Sequence, residues 1–306
     1  MNYKKLSKLT KIVVGIIIIT IMLFKNNNIK DLNKVVASIK NDVNEASLVR
    51  NVNGNLTISF IDVGQADSIL IRNGNYNMLI DAGNNEDGEK LVNYFKSLKI
   101  EEFLHVVATH PHEDHIGGMD DIINNFKIDN YYMPNKISTT KTFMDVLDAM
   151  KKQNLKYKVP NIGDMFELGN ANITVIYVGD ETNDINDSSI VLKLTYGKNS
   201  FLLTGDATSN VEKKLCNYDI KSDVLKVAHH GSNYSSLDMF LDNVDAKYAV
   251  ISVGRNNTYN HPSNSTLEKL DKRNIKIYRT DQDGTITFTS DGENLSVNTY
   301  ETDTNG

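Results

Sequence analysis

Thr109-His110-Pro111-His112-Glu113-Asp114-His115 is the stretch of sequence that decides the fold of this chain. It follows the apolar run 104–108 and places three imidazoles and the Asp114 carboxylate within six residues. In a packed core each imidazole would need its own hydrogen-bond partner, so the stretch is a poor core segment. A solvated polar loop with chance histidines is the alternative. Imidazole and carboxylate together suit zinc or manganese, and the stretch therefore predicts a metal site.

The bulk composition is that of an ordinary globular protein. The chain has 306 residues, of which 40% are hydrophobic and 24% are charged, enough for one large domain or two small ones. The net charge of -6 gives no general attraction to nucleic acid, so binding to it would need a local basic patch. The single Cys216 excludes an intrachain disulfide and a cysteine-based zinc site.

The N-terminus has a different composition, which predicts a signal peptide or signal-anchor at residues 1–24. Lysines flank an apolar run of thirteen residues, 12–24. This run is short for a spanning helix, which needs about 20 residues, but it fits the apolar core of a signal behind a basic head. Cleavage and retention of this segment both stay open. The positive-inside rule places the rest outside the cytoplasm, secreted or anchored to the membrane. Residues 25–54 are interpreted as a linker and 55–306 as one folded domain.

Short apolar runs alternate with helical patterns along the rest of the chain, which predicts an α/β protein. Helical spacing of apolar residues occurs at 91–98, 143–150 and 264–274. The runs fall into two halves along the chain, and we expect two sheets packed face to face with helices outside. Strands are predicted at 56–61, 68–71, 78–80, 104–108, 173–177, 190–194, 201–203, 224–228, 248–251, 275–278 and 285–288.

Polar residues follow five of these runs, at the strand ends where an α/β sheet presents its sites. A single Asp-x-Gly more often marks a turn alone, but five such points make coincidence much less plausible. The five are Asp62, Asp81, the stretch 109–115, Asp206 and the pair His229-His230.

These stretches resemble the metallo-β-lactamase superfamily, whose hallmark His-x-His-x-Asp-His is residues 110–115 here. The resemblance covers about residues 56–290. More narrowly, the chain is similar to the soluble hydrolase domain of ComEC-type competence proteins, which act in DNA uptake. The resemblance implies a four-layer αββα sandwich and a hydrolase domain at residues 55–306. The stretches that carry it are 60–68, 109–118, 201–206, 225–232, 257–262 and 279–284.

The resemblance implies a site for two divalent metal ions, zinc or manganese. His110 and His112 would hold the first ion. Asp114 and His115 would hold the second, together with one imidazole of the pair His229-His230, and which of the two is the ligand stays open. By the same resemblance Asp206 would bridge both ions, and Asp81 would orient the metal-bound water or support the ligands.

One departure from the family pattern concerns the first ion. The superfamily often supplies a third ligand from a histidine between the cluster and the bridging aspartate, and no histidine lies between His115 and His229. An oxygen of Asn186 or Asp187 is the substitute, which would make the site harder and better suited to manganese.

The mechanism expected from this site is hydrolysis by a metal-bound hydroxide. A metal pair favours phosphoesters, so we expect a phosphodiesterase or DNA nuclease, with Asp114, Asp81 and His261 taking part in catalysis. His261 would protonate the leaving group or bind phosphate, unless it is only an exposed loop residue. Arg279 and Lys226 are weaker candidates for phosphate contacts.

A DNA partner and two alternative functions are suggested by weaker features of the sequence. Lysines between 127 and 158 could follow a DNA backbone, with Tyr131 and Tyr132 stacking on bases, but a solvated lysine face and core tyrosines explain them equally well. The second enzyme hypothesis is hydrolysis of a small surface ester, lactone or phosphorylcholine group. The non-enzymatic hypothesis is a DNA-binding or surface module with a weak site. The lysines concerned are Lys127, Lys136, Lys141, Lys151, Lys152, Lys156 and Lys158.

Overall fold

The computed structural model describes residues 55–179 and 184–300. The predicted leader and linker lie outside the described residues. The strands within that part are β1 Leu56–Phe60, β2 Ile69–Asn73, β3 Tyr76–Ile80, β4 Glu102–Val107, β5 Lys127–Tyr132, β6 Tyr157–Lys158, β7 Met165–Leu168, β8 Ala171–Tyr177, β9 Val191–Tyr196, β10 Asn199–Leu203, β11 Val224–Lys226, β12 Tyr248–Ile251, β13 Lys276–Arg279, β14 Thr285–Ser290 and β15 Leu295–Tyr300.

The helices are short, and none within residues 55–179 and 184–300 is long and apolar enough to cross a membrane. Short 3-10 turns occur at Asn85–Asp87, Asn186–Ser188 and Ala228–Gly231. The helices are α1 Gly88–Ser97, α2 Glu113–Ile116, α3 Met119–Asn125, α4 Lys141–Lys152, α5 Ser209–Leu215, α6 Asp238–Val244, α7 Asn264–Asp271 and α8 Thr280–Asp283.

The strands form two mixed sheets. The first has the order β15-β14-β1-β2-β3-β4-β5-β6 and the second β13-β12-β11-β10-β9-β8-β7. In the first sheet β3, β4 and β5 are parallel, and in the second β10, β11, β12 and β13 are parallel. Each sheet therefore presents a row of carboxyl ends at one edge.

Aromatic and aliphatic side chains fill the space between the two sheets. Phe288 on the first sheet contacts Phe201 on the second, with ring centroids 6.0 Å apart. Helices cover the outer faces: Phe95 of α1 packs edge-on against Phe103 of β4 at 5.4 Å, and Phe240 of α6 joins the buried cluster on the second sheet. The predicted four-layer αββα sandwich is confirmed.

The apolar runs that the sequence marks as strands lie on β1–β4 and β8–β14. One difference concerns the C-terminal end. β14 follows the strands of the second sheet along the chain but pairs antiparallel with β1 of the first sheet. β15 then pairs with β14 at the outer edge of that first sheet. Pairing in the sheet, which the order along the chain does not determine, places this hairpin.

Candidate metal centre

The candidate site lies where the carboxyl ends of the two sheets meet. Asp81 follows β3, and the stretch 109–115 follows β4 and begins α2. Asp206 and His230 follow β10 and β11 of the other sheet. Because parallel strands of each sheet end at the same edge, residues far apart in sequence converge there.

The backbone is held in the left-handed region at several of these strand ends. Asp81 has φ 59°, and His229 and His230 both have φ 53°. Such non-glycine positions cost on the order of 1–3 kcal/mol each and often occur at functional sites. Gly231 follows with φ 80°, and a Cβ on it would lie 2.5 Å from Cβ of Pro262. The loop with the histidine pair therefore packs directly on the loop that carries His261.

Four side chains form a compact ligand cluster: Asp114, His115, Asp206 and His230 offer atoms that all lie within 4.8 Å of one another. His115 Nε2 is 3.3 Å from Asp206 Oδ2 and 3.8 Å from Asp114 Oδ2. His230 Nε2 is 3.1 Å from Asp114 Oδ2 and 3.7 Å from Asp206 Oδ2.

A second group of ligands adjoins this cluster. His110 Nε2 lies 3.0 Å from His112 Nδ1, so both nitrogens face one point. The rings of His110 and His115 have centroids 4.1 Å apart. His110 is completely buried, whereas His112 lines an open cleft.

The segment proposed to replace the missing third histidine lies beside His110. Ile190 N donates to Thr109 O at 3.0 Å, and Ser189 Oγ is 3.5 Å from His110 Nδ1. A carboxylate oxygen of Asp187 accepts from Thr208 Oγ1. The amide oxygen of Asn186 is buried and accepts no hydrogen bond from any residue the structure describes. The buried, unpaired amide oxygen makes Asn186 a candidate donor, and the second carboxylate oxygen of Asp187 stays the alternative.

Partners behind the ligands fix their orientation. Asp81 Oδ2 lies 2.8 Å from His115 Nδ1, and both oxygens of Asp81 also accept from Thr109, one from its N–H and one from its hydroxyl. His230 Nδ1 lies 2.9 Å from the carbonyl oxygen of Ser252. When these partners accept from Nδ1, they leave Nε2 of both imidazoles free to coordinate a cation.

Sequence reasoning missed Asp67 as part of this site. Asp67 is buried two residues before β2, with Oδ1 3.7 Å from His230 Nδ1 and Oδ2 3.8 Å from His115 Nδ1. Its Oδ2 also forms a 2.5 Å ion pair with Lys226 Nζ, and both side chains are only 1% exposed. Lys226 further donates to the carbonyl oxygens of Gly205 and Val227. Asp67 was missed because sequence reasoning searched for polar residues directly after apolar runs, and Asp67 comes before one.

The hypothesis that Lys226 contacts phosphate is wrong, because this buried side chain lies beneath the ligand cluster. Tyr131 and Tyr132 are also buried, so neither ring is free to stack on a base. Tyr132 packs instead on Phe166, with centroids 4.2 Å apart. Arg279 forms an ion pair of 2.6 Å with Asp281. None of the seven lysines named above is among the described residues that line the cleft.

Negative charge dominates the electrostatics of the buried cluster. Burial disfavours a charged His115, but the carboxylates of Asp206, Asp81 and Asp114 outweigh this and raise its pKa well above the ordinary value. His230 has a raised pKa for the same reasons, with Asp206 and Asp114 outweighing burial. Burial also opposes a charged Asp206, yet His115 and His230 hold its pKa well below the ordinary range. The cluster therefore favours positive charge at its centre.

His229 and His261 lie at the edge of the cluster. His229 Nε2 is 3.9 Å from Asp206 Oδ2, and its side chain is 23% exposed. His261 is half-buried, with its ring centroid 5.8 Å from that of His229. Burial, together with His230 and His229, lowers the pKa of His261 to about 4. Of the histidine pair, only His230 joins the compact ligand cluster.

The residues present fit a divalent cation. His115 Nε2 and Asp206 Oδ1 are buried and make no hydrogen bond within the part of the chain that the structure describes. Leaving such atoms unpaired costs about 1–3 kcal/mol each, a cost that coordination removes. Mixed imidazole and carboxylate donors are those of zinc and manganese sites.

Comparison with known proteins identifies the family of this chain and several similar proteins. Residues 61–255 match the metallo-beta-lactamase superfamily. ComE operon protein 3 of Bacillus subtilis (strain 168) is 30% identical over 252 residues, 76% of this chain and 32% of that protein. Competence protein ComA of Neisseria gonorrhoeae is 28% identical over 231 residues, 74% of this chain and 31% of that protein. The chain spans about a third of the length of these two relatives.

A solved structure agrees in fold. The metallo-beta-lactamase fold protein YhfI from Bacillus subtilis matches with a TM-score of 0.50 and 13% identity, over 73% of this chain and 95% of that one. At this identity the likeness concerns the fold alone. The chain therefore belongs to the metallo-β-lactamase superfamily, and its His/Asp cluster marks it as a metal-dependent hydrolase with competence proteins among its relatives.

Proposed function

We propose that this chain is an extracytoplasmic phosphodiesterase that cleaves single-stranded DNA at a pair of divalent cations, zinc or manganese. One observation carries the proposal: two adjoining groups of ligands from both sheets converge at the wall of one open cleft. His110 and His112 would hold the first cation, and an oxygen of Asn186 or Asp187 would supply a third donor. The compact cluster of Asp114, His115, Asp206 and His230 would hold the second cation, and Asp206 is the residue proposed to contact both.

When bound, adjacent divalent cations polarise a phosphoester and lower the pKa of a coordinated water. The chain's own residues preorganise the site. Asp81 and the carbonyl oxygen of Ser252 hold the imidazoles of His115 and His230 in the orientation that ligation needs. Asp114 and Asp206 supply the negative charge that draws cations into the buried end of the cleft.

The cleft has room for more than a small ester. It has a volume of about 1410 Å³ and is lined by His112, Asp114, His229 and His261, together with polar and aromatic residues from both sheets. His261 stands between the ligands and the open part of the cleft, where a phosphate or leaving oxygen of the substrate would lie. The naming of two relatives as a competence protein and a ComE operon protein supports DNA as the substrate.

The test is a substrate panel on the purified full-length chain with manganese or zinc: single-stranded DNA, bis-p-nitrophenyl phosphate and a lactone. We expect both phosphodiesters to be hydrolysed, and Asp206→Asn to lower the rate at least about 100-fold. Asp271→Asn, at an exposed position on α7, is the matched control and should keep the wild-type rate.

Two outcomes would overturn the proposal. Hydrolysis of the lactone without either phosphodiester would favour a small-ester hydrolase. Binding of single-stranded DNA without turnover in any metal would favour a non-enzymatic binding module.

The extracytoplasmic location rests on the lysine-flanked apolar run 12–24. Protease added to intact cells that express the full chain should digest the folded domain, unless the domain has already been released into the medium. A domain that stays cell-associated and resists protease until the cells are lysed would contradict this location.

A further inference from the structure

We infer that Tyr259 is a stacking platform for a nucleobase of the bound strand, an inference that rests on the proposed action of this cleft on single-stranded DNA. Tyr259 lines the cleft, and 67% of its surface is exposed. A large aromatic ring left open beside a catalytic cluster is a feature that no packing role explains.

The ring is connected to the ligand cluster through His261. The ring of Tyr259 stacks on that of His261, with centroids 5.7 Å apart and planes inclined by 24°. The ring of His261 in turn lies 6.5 Å from that of His230, inclined by 23°. Three rings, each inclined by less than 25° to the next, therefore lead from solvent to His230, a proposed ligand of the second cation. A base on Tyr259 would belong to a nucleotide close to the phosphate being cleaved.

The loop that carries Tyr259 is braced from within. Asn257 Nδ2 donates to the carbonyl oxygens of Gly254 at 3.0 Å and His261 at 2.6 Å. His261 N donates back to Asn257 Oδ1 at 3.0 Å. A braced loop presents the ring at little entropic cost on binding, which is what a stacking platform needs.

Arg255 on the same loop supplies a positive charge that would attract the phosphate backbone of the bound DNA strand. Its Nε donates to the carbonyl oxygen of Asp281 at 2.8 Å, and no carboxylate of a described residue forms an ion pair with it. Its remaining N–H groups are available to a phosphate. Aromatic stacking together with a nearby cation is the usual mode of binding single-stranded nucleic acid. In a duplex the faces of the bases are already stacked, so this site selects a single strand.

The test compares a deoxythymidine 12-mer with an abasic 12-mer of the same backbone, both for binding and for cleavage by the full-length metal-loaded chain. Since stacking on an aromatic ring contributes on the order of 1–3 kcal/mol per base, the thymidine strand should bind about 10-fold tighter than the abasic one. Tyr259→Ala should remove this difference without weakening the abasic strand, and Tyr259→Phe should retain it. Tyr234→Ala is the control, because Tyr234 is 71% exposed but does not line the cleft.

The outcomes separate this inference from the proposed function. A thymidine preference that depends on Tyr259 without cleavage of either strand would support the base platform and contradict the phosphodiesterase. Cleavage with equal binding of both strands, or a preference unchanged by Tyr259→Ala, would overturn the platform and leave the phosphodiesterase standing. Failure to bind either strand would overturn both.

Discussion

The Asp114 carboxylate lies 3.1 Å from Nε2 of His230, a residue 116 positions further along the chain. One of these residues follows a strand of the first sheet and the other a strand of the second. The contact exists only because the two sheets pack with their rows of carboxyl ends at the same edge. The packing of the two sheets thus assembles the ligand cluster.

The histidine pair should divide into one ligand and one residue of the cleft wall. His230 is buried in the ligand cluster, whereas His229 is partly exposed and 3.9 Å from Asp206. We expect His230→Ala to lower the affinity for the second cation about 100-fold or more, and His229→Ala to lower it less than about 10-fold. Isothermal titration with manganese measures both. Equal losses, or the reverse order, would contradict the assignment of His230.

Removing the charge of Asp81 should weaken metal binding without removing a ligand. Asp81 lies 2.8 Å from His115 Nδ1 and accepts twice from Thr109. An asparagine would present an N–H₂ group to one of these partners, so Asp81→Asn should lower metal affinity about 10- to 100-fold. Competition with a chromophoric chelator measures the affinity, with Asp271→Asn as the control. An affinity equal to that of the control would show that Asp81 has no supporting role.

The buried pair of Asp67 and Lys226 should behave as one unit. Lys226→Met leaves the Asp67 carboxylate buried without its cation, so we expect the free energy of unfolding to fall by about 3–5 kcal/mol. The double variant with Asp67→Asn and Lys226→Met should recover part of this loss, because no uncompensated charge remains. Urea unfolding in the presence of chelator measures four proteins: the wild type, the single variants Asp67→Asn and Lys226→Met, and the double variant. If the two losses simply add, the pair is not coupled.

Glu212 should make the stability of the domain depend on pH. It is buried on α5, and burial raises its pKa to about 7 from the ordinary 4.5, although Ser236 N and Leu237 N donate to it. Between these values the unfolded chain has lost the proton and the folded chain keeps it. Stability conferred by the bound proton is therefore lost as pH rises from 4.5 to 7.

The measurement compares wild type with Glu212→Gln, which does not titrate. At about 1.4 kcal/mol per pKa unit, the free energy of unfolding of the wild type should fall by up to about 3 kcal/mol relative to the variant over this range. Urea unfolding at several pH values measures the difference. A difference that stays constant with pH, or that changes in favour of the wild type, would contradict the raised pKa.

Most of the fold, and the meeting of the site residues at one edge, could be predicted from the sequence for a physical reason. Polar groups directly after apolar runs predict an edge where carboxyl ends meet, and Asp81, Asp206 and His230 do lie together at that edge. The return of β14 to the first sheet was not predictable from local pattern, because a strand's neighbours are set by tertiary packing. The leader at 1–24 stays a prediction.

Contacts between distant segments account for what sequence reasoning missed. Lys226 lies within the apolar run 224–228, and its burial is compensated by the ion pair with Asp67 and by hydrogen bonds to the carbonyl oxygens of Gly205 and Val227. Nothing local to either residue indicates the other. For Tyr131 and Tyr132 the sequence left base stacking and core packing equally open, and β5 places both rings in the interior. Tyr259 lies in the stretch 257–262 that carries the family resemblance, but only the stacked rings show that its side chain lies beside the cluster.

Anomalous diffraction from crystals of the chain soaked with manganese tests the central claim most directly, because it locates each cation independently of activity. We expect two peaks, one within coordination distance of His110 and His112 and the other among Asp114, His115 and His230, with Asp206 between them. Peaks elsewhere, or a single peak that Asp206 does not contact, would contradict the account.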